Sequence, residues 1–367
     1  MNHSAATAFD LTRIACVWMR GGTSKAAFFR VQDLPTDPKS RDRLLLAAMG
    51  TPDARQIDGI GGGTPLTTKI AIISTSGDDQ ADIDYLFGQV VIGEDRIDYA
   101  PTCGNILAGV GPYSIDQGFV PAEDGKTIVR IRMVNTGGLC EAVVQTPGGR
   151  VSYTGETRIS GVPTPGAPIE LGFRDIAGSS CGALYPTGRR LDVIEGVAVT
   201  CIDNGMPVVL IRAEDVGATG YETPTDLDAN AEVKARVEAI RLAAGPLMGL
   251  GNVAGKVVPK MTLVSPPRDS GHLNTRSFIP RKCHDAIGVL GAASVATAFD
   301  DEGTVCASLA TGPAGSGVRD ISVEHPTGEF TIRLSGGGEG EAPSVALLRT
   351  ARPLFEGHVL VPPATAA

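Results

Sequence analysis

A chain of 367 residues with 42% apolar and 20% charged residues is long enough for two domains and has the composition of a globular protein with a sizeable core. Its formal net charge of −9, without a lysine or arginine run, excludes nucleic acid and anionic membrane as main partners. The seven cysteines (Cys16, Cys103, Cys140, Cys181, Cys201, Cys283 and Cys306) are widely spaced with no CxxC, which predicts neither a disulfide framework nor a zinc site. The first residues lack a basic stretch followed by an apolar core, and no apolar run is long enough to span a bilayer, so a cytoplasmic protein is expected.

In chain order, the first feature is a polar glycine turn, Arg20-Gly21-Gly22-Thr23-Ser24, beside an apolar strand. Residues 40–49 read as an amphipathic helix with Ser40 as N-cap. A glycine-rich loop over residues 58–68 leads into a strand opened by Lys69 (KIAIIS). An apolar, small-residue helix opens near Gly104, directly after Cys103, and a strand follows over 127–134. Beyond a seam near residues 186–191 come strands at 197–202 and 208–212, with the turn Asp203-Asn204-Gly205-Met206-Pro207 between them. Residues 229–248 form a long amphipathic pattern interrupted at Gly245-Pro246. Lys260 opens another strand (KMTLVS), and a second small-residue helix starts near His284, after Cys283.

The turn, the lysine-led strand and the cysteine-preceded helix recur in the same order, with Cys103 and Cys283 about half the chain apart. Internal duplication is the economical explanation. It predicts two β-rich halves, 1–186 and 187–367, with the last strands able to cross back.

Several residues could carry chemistry. The glycines of the 58–68 loop, Gly62 and Gly63 among them, let backbone N–H groups converge on an anion, with Thr64 and Thr67 beside them. A turn without a ligand fits the same residues. Lys69 is a base only if burial or nearby cations tune it; otherwise it is a solvated strand-edge lysine. Cys103, Gly104 and Asn105 stand at a helix start, where free N–H groups favour a thiolate or a carboxylate; a free cysteine is equally a small buried hydrophobe. Arg20 and Arg276 could each hold a carboxylate, with Ser24 and Ser277 as neighbouring donors. Arg55, Lys25, His284 and Asp285 are further candidates. No HExxH, GxSxG or nucleotide-binding loop is present, so no metal or organic cofactor is expected.

With these motifs in order, the chain resembles the PrpF-like isomerases of the diaminopimelate epimerase-like fold, from about residue 14 to about 355. The resemblance rests on WMRGGTSK (18–25), RQIDGIGGGTPLTTK (55–69), CGNILAGVGP (103–112), IDNGMP (202–207) and RSFIP (276–280). DYLF (84–87), AGSSCGAL (177–184) and RLAAGPLMGLG (241–251) liken it to the branch that acts on 4-oxalomesaconate in aromatic-acid catabolism, as tautomerases or Δ-isomerases. The resemblance implies an α+β protein of two pseudo-symmetric domains, each a β-rich shell around a central helix, with the site between them. It implies a small tricarboxylate-type substrate, no cofactor, and a homo-oligomer as one possible assembly. It gives the base role to Lys69, near Cys103. Related epimerases use two facing cysteines; Cys283 aligns roughly with the second, but His284-Asp285-Ala286 follows it where they have a glycine-rich turn. A 2-methylaconitate isomerase, an amino-acid racemase and a non-catalytic acid-binding protein are the alternatives.

Overall fold

The computed structural model describes residues 10–99, 102–173, 176–309, 317–337 and 342–362. In chain order its elements are β1 (Thr12–Gly21), β2 (Ser24–Arg30), α1 (Pro38–Met49), β3 (Lys69–Thr75), β4 (Ile83–Val90), β5 (Ile97–Asp98), α2 (Gly104–Asp116), β6 (Gly125–Met133), β7 (Leu139–Thr146) and β8 (Ile169–Phe173). They continue with β9 (Asp192–Ile194), β10 (Val197–Asp203), β11 (Pro207–Arg212), α3 (Pro224–Ala229), α4 (Ala231–Leu247), β12 (Lys260–Ser265), β13 (Leu273–Phe278), α5 (Val289–Phe299), β14 (Arg319–His325), β15 (Gly328–Ser335), β16 (Ser344–Arg349) and β17 (Ala351–Val361). The chain divides into two compact units, one running to Leu171 and resuming at Arg349, the other Gly172–Leu348.

This division differs from the 186/187 boundary read from the sequence, for two physical reasons. β17 pairs with β1 along its length, Thr12 opposite Val361 and Gly21 opposite Ala351, so the last strand belongs to the first unit. Residues 178–184 are tied to the second unit by Asp203, whose carbonyl accepts from Gly178 N at 2.7 Å and whose Oδ2 accepts from Ser180 N and Cys181 N at 2.8 Å each.

In the first unit the strands run β17-β1-β2-β3-β4-β6-β7, and the pairings from β1 onward are antiparallel, parallel, antiparallel, parallel, antiparallel. In the second, β10-β11-β12-β13-β14-β15 repeat that order of pairings. Each unit inserts its buried helix at the same step of that pattern, α2 between β4 and β6 and α5 between β13 and β14. The duplication seen in the sequence is therefore a duplication of topology.

Strand alternation sorts the first unit's side chains into two faces. Ala27, Phe29, Ile70 and Ile72 join Leu45, Leu46 and Met49 of α1 in one core cluster. The alternate set, including Phe28, faces α2. A Cβ on Gly109 of α2 would stand 2.8 Å from Phe28 Cζ, and one on Gly111 would stand 2.9 Å from Val144 Cγ2. Those glycines let strands close around a helix that is buried from Ile106 to Ile115. The second unit packs α4 against Val199, Cys201, Val209, Ile211, Met261 and Leu263 on one face.

Three helix starts differ from the sequence reading. Asp37, not Ser40, caps α1, because its carboxylate accepts from Ser40 N at 2.8 Å and Pro38 suits the first turn. Asn230 starts α4, which runs through Gly245-Pro246, since a proline near the C-terminal end of a helix forfeits a single backbone bond. α5 starts at Val289 with Gly288 as N-cap, five residues beyond Cys283. There the chain first extends the β13 edge: Ile279 N bonds Lys282 O, His284 N bonds Ser277 O, and Ala286 N bonds His284 Nδ1.

Candidate functional site

Lys69 opens β3 opposite Gln89 of β4 and beside Ala26 of β2. That register puts it, with Ala71, Phe87 and Tyr85, on the face that holds α2. It is a buried lysine, 7% exposed, which removes the solvated-edge reading. Its Nζ donates to Gln89 Oε1 at 2.6 Å and lies 5.3 Å from the centroid of the Phe87 ring.

Cys103 is the N-cap of α2 and supplies no side-chain cap, so the free amides of the first turn keep their donors. The Gly21-Gly22 turn presses on this helix start: a Cβ on Gly21 would stand 2.3 Å from the Asn105 carbonyl oxygen. Asn105 bridges the helix to both flanks, its Nδ2 donating to Thr23 Oγ1 at 3.0 Å and its Oδ1 accepting from Arg349 Nε at 3.2 Å. Burial pulls the Arg349 guanidinium down to about 9, against the opposing pull of the Cys103 thiol. Tyr85 is fully buried, and burial, with Cys103 adding to it, holds its phenol well above its ordinary value. The hydroxyls of Ser24, Tyr85 and Thr350 are all buried and all lack a hydrogen-bond partner. Buried hydroxyls are normally satisfied. Here Ser24 opens the strand after the Gly21-Gly22 turn, and Thr350 O accepts from Gly22 N at 2.9 Å. The orphans thus gather around the elements that meet the head of α2.

The other sequence-predicted residues behave differently. The glycine loop is folded around Gln56, whose Oε1 accepts from Gly63 N and Thr68 Oγ1 at 2.8 Å each. Gly61 N bonds Met49 O and Gly62 N bonds Thr67 O, so the glycine amides are used within the fold and form no open anion cradle. The Thr64 and Thr67 hydroxyls, 2.8 Å apart, are exposed. Arg20 lies on the face away from Ser24; its Nη1 donates to Gly22 O at 2.9 Å and Thr350 O at 3.0 Å, which fixes the turn. In the second unit, Arg276 donates to Glu222 O, Asn274 Oδ1 and Thr275 O, and Ser277 bonds Thr262 at 2.8 Å. Both are therefore integral to that unit's internal bonding. Cys283 is buried, its thiol pushed up to about 11 by burial, and Gly288 stands where Cys103 stands in the first unit. The second thiol of a symmetric pair is absent from the α5 head. Gln56, Gln89, Tyr85, Arg349 and Thr350 escaped the sequence reading; a tyrosine and a glutamine on the lysine's side of β4 were the only signal available.

Among the described residues, no group of three or more His, Cys, Asp or Glu could hold a metal ion, and no helix is long and apolar enough to cross a membrane.

The chain matches the family model described as PrpF protein over residues 11–362. It is 56% identical to a 4-oxalomesaconate tautomerase of Pseudomonas putida, over 95% of this chain and 96% of that one. It is 55% identical to a (4E)-oxalomesaconate Delta-isomerase of a Novosphingobium species, over 94% and 97%. A crystal structure of methylitaconate-delta-isomerase superimposes with a TM-score of 0.84 at 34% identity, over 98% of this chain and all of the other. A hydroxyproline epimerase from Agrobacterium vitis shares the fold alone, with a TM-score of 0.51 at 12% identity over 96% and 94%. The α+β, diaminopimelate epimerase-like architecture read from the sequence is the one observed.

Proposed function

Because the chain belongs to the PrpF protein family, we propose that it is an isomerase that moves a proton on 4-oxalomesaconate, with Lys69 as the base. The observation that carries this reading is the buried Lys69 on the sheet face that also carries Ser24 and Tyr85, whose buried hydroxyls lack partners. A buried base beside unpartnered hydroxyls and free helix-start amides suits an oxygen-rich acid.

A substrate carboxylate would take the free amides of Gly104 and Asn105 and the Ser24 hydroxyl. The proton next to the carbonyl is acidified by conjugation. Lys69 Nζ, as the amine, removes it, and the electron pair spreads into a dienolate. The amides and hydroxyls at the α2 head face the developing oxyanion. Returning a proton to a different atom gives the keto–enol tautomer or the shifted double bond; donation by the Lys69 ammonium regenerates the amine directly, and donation by the Cys103 thiol leaves a thiolate that the Lys69 ammonium reprotonates. Arg20 holds the Gly21-Gly22 turn, and Thr64 and Thr67 offer exposed hydroxyls on the loop that precedes Lys69. The seven free cysteines suit a reducing cytoplasm.

Purified protein incubated in D₂O with 4-oxalomesaconate, or with 2-methylaconitate, and followed by proton NMR tests the reading. Isomerisation and deuterium uptake are expected with the first acid. Turnover of 2-methylaconitate alone would reassign the substrate, and binding without carbon-bound exchange would remove the catalytic role.

A further inference from the structure

Gln89 has the geometry of a tool built for one lysine. Its Nε2 faces three carbonyl oxygens, Thr68 at 3.0 Å and Pro65 and Val90 at 3.3 Å each. Three acceptors settle the orientation of the amide, because the flipped form would set Oε1 against all of them. Oε1 must therefore face Lys69, and it meets Nζ at 2.6 Å.

We propose that Gln89 is a positioning residue for the proton transfer, an uncharged acceptor that aims the Lys69 amine. This inference rests on the reading of Lys69 as base. One N–H of the amine is committed to Oε1, and the Phe87 ring closes a second direction at 5.3 Å. With the remaining hydrogen turned to the ring, the lone pair is left to point away from Gln89, on the α2 side of the sheet. A carboxylate in the same place would bind the ammonium form and hold the lysine protonated; the amide anchors either form. Ionisable groups on this face include Arg30 of β2, Tyr85 of β4, Asp98, which pairs with Gln89 from β5, Cys140 of β7, and Cys103 at the α2 head.

The test compares Gln89→Met, Gln89→Glu and Lys69→Met by steady-state kinetics across pH with 4-oxalomesaconate. For Gln89→Met, kcat should fall roughly ten- to a hundred-fold, the cost of about 1 Å of misplacement, with KM within about threefold. Its acidic limb should move to lower pH, because the ammonium loses an acceptor. Gln89→Glu should move the same limb upward by about one to three pH units. A merely structural role would lower activity without displacing the limbs in opposite directions. Unshifted limbs in the folded variants, or a Gln89→Met kcat within twofold of wild type, overturn the proposal while leaving Lys69 as base. Near-normal turnover by Lys69→Met overturns the base assignment itself, and the role of Gln89 with it. If Gln89→Met does not fold, the limb of Gln89→Glu decides.

Discussion

Gly21→Ala is a sharp probe of the proposed site, because it adds one methyl group and removes nothing. The new Cβ would stand 2.3 Å from the Asn105 carbonyl oxygen and 3.1 Å from Ile106 Cα. Carbon–oxygen contacts rest at about 3.3 Å, so roughly 1 Å must open between the β1–β2 turn and the first turn of α2. Both sides are backbone, and no side chain can rotate out of the way. The displaced segment carries Cys103, Gly104 and Asn105. A misplacement of about 1 Å is worth about a hundredfold in turnover, and overpacking costs about 1–3 kcal/mol of stability. The expected result is a kcat/KM on 4-oxalomesaconate lower by about two orders of magnitude, with a folded protein melting a few degrees lower by circular dichroism. Gly77→Ala is the control, since a Cβ there meets nothing within 4 Å. If Gly21→Ala matches Gly77→Ala in both activity and melting, the head of α2 is not where the chemistry occurs.

Other outcomes follow from the same geometry. Lys69→Met should lose roughly two to four orders of magnitude in turnover, whereas Lys25→Met, on the opposite face of β2, should keep it within about threefold; the reverse ranking would move the base. Brief iodoacetamide treatment at neutral pH, read by peptide mass mapping, should label Cys103 first. Burial pushes Cys283 up to about 11, and burial with Asp203 pushes Cys181 up to about 12, which leaves both with little thiolate; labelling of Cys283 ahead of Cys103 would contradict the site. The Asp203 carboxyl is raised by burial, against the lowering bonds from Ser180 and Cys181. A raised carboxyl favours the folded state below the ordinary carboxylate range and costs stability as pH rises through its folded value. Asp203→Asn should therefore gain on wild type in urea unfolding at pH 8 and not at pH 4; an equal difference at both would refute the assignment.

The lysine-led strands were legible because both faces of Lys69–Thr75 and Lys260–Ser265 are covered, so the residues read as near-continuous apolar runs after one cation. The buried helices were legible from their glycines and alanines. The cysteine register was not, because whether a helix follows at once depends on local bonding. Cys103 is an N-cap, while His284 and its neighbours turn the chain back on β13 before α5 can begin. The glycine loop misled for a related reason: nothing in its composition says that its amides answer to Gln56, Met49 and Thr67. Gln89 and Arg349 reach the site by pairings across 20 and 244 positions, and one sequence does not say which residues such pairings join.

The pairing of β1 with β17 also sets an order of events during synthesis. The strand that opens the first unit waits for residues 351–361 to leave the ribosome before its outer edge is covered, whereas the β10–β15 run of the second unit is complete by residue 335. The unit begun first is thus finished last, and in the interval β1 presents an open edge to every other nascent chain. Its alternation of exposed and buried residues near Thr12 and its ladder to β2 protect it until the tail arrives.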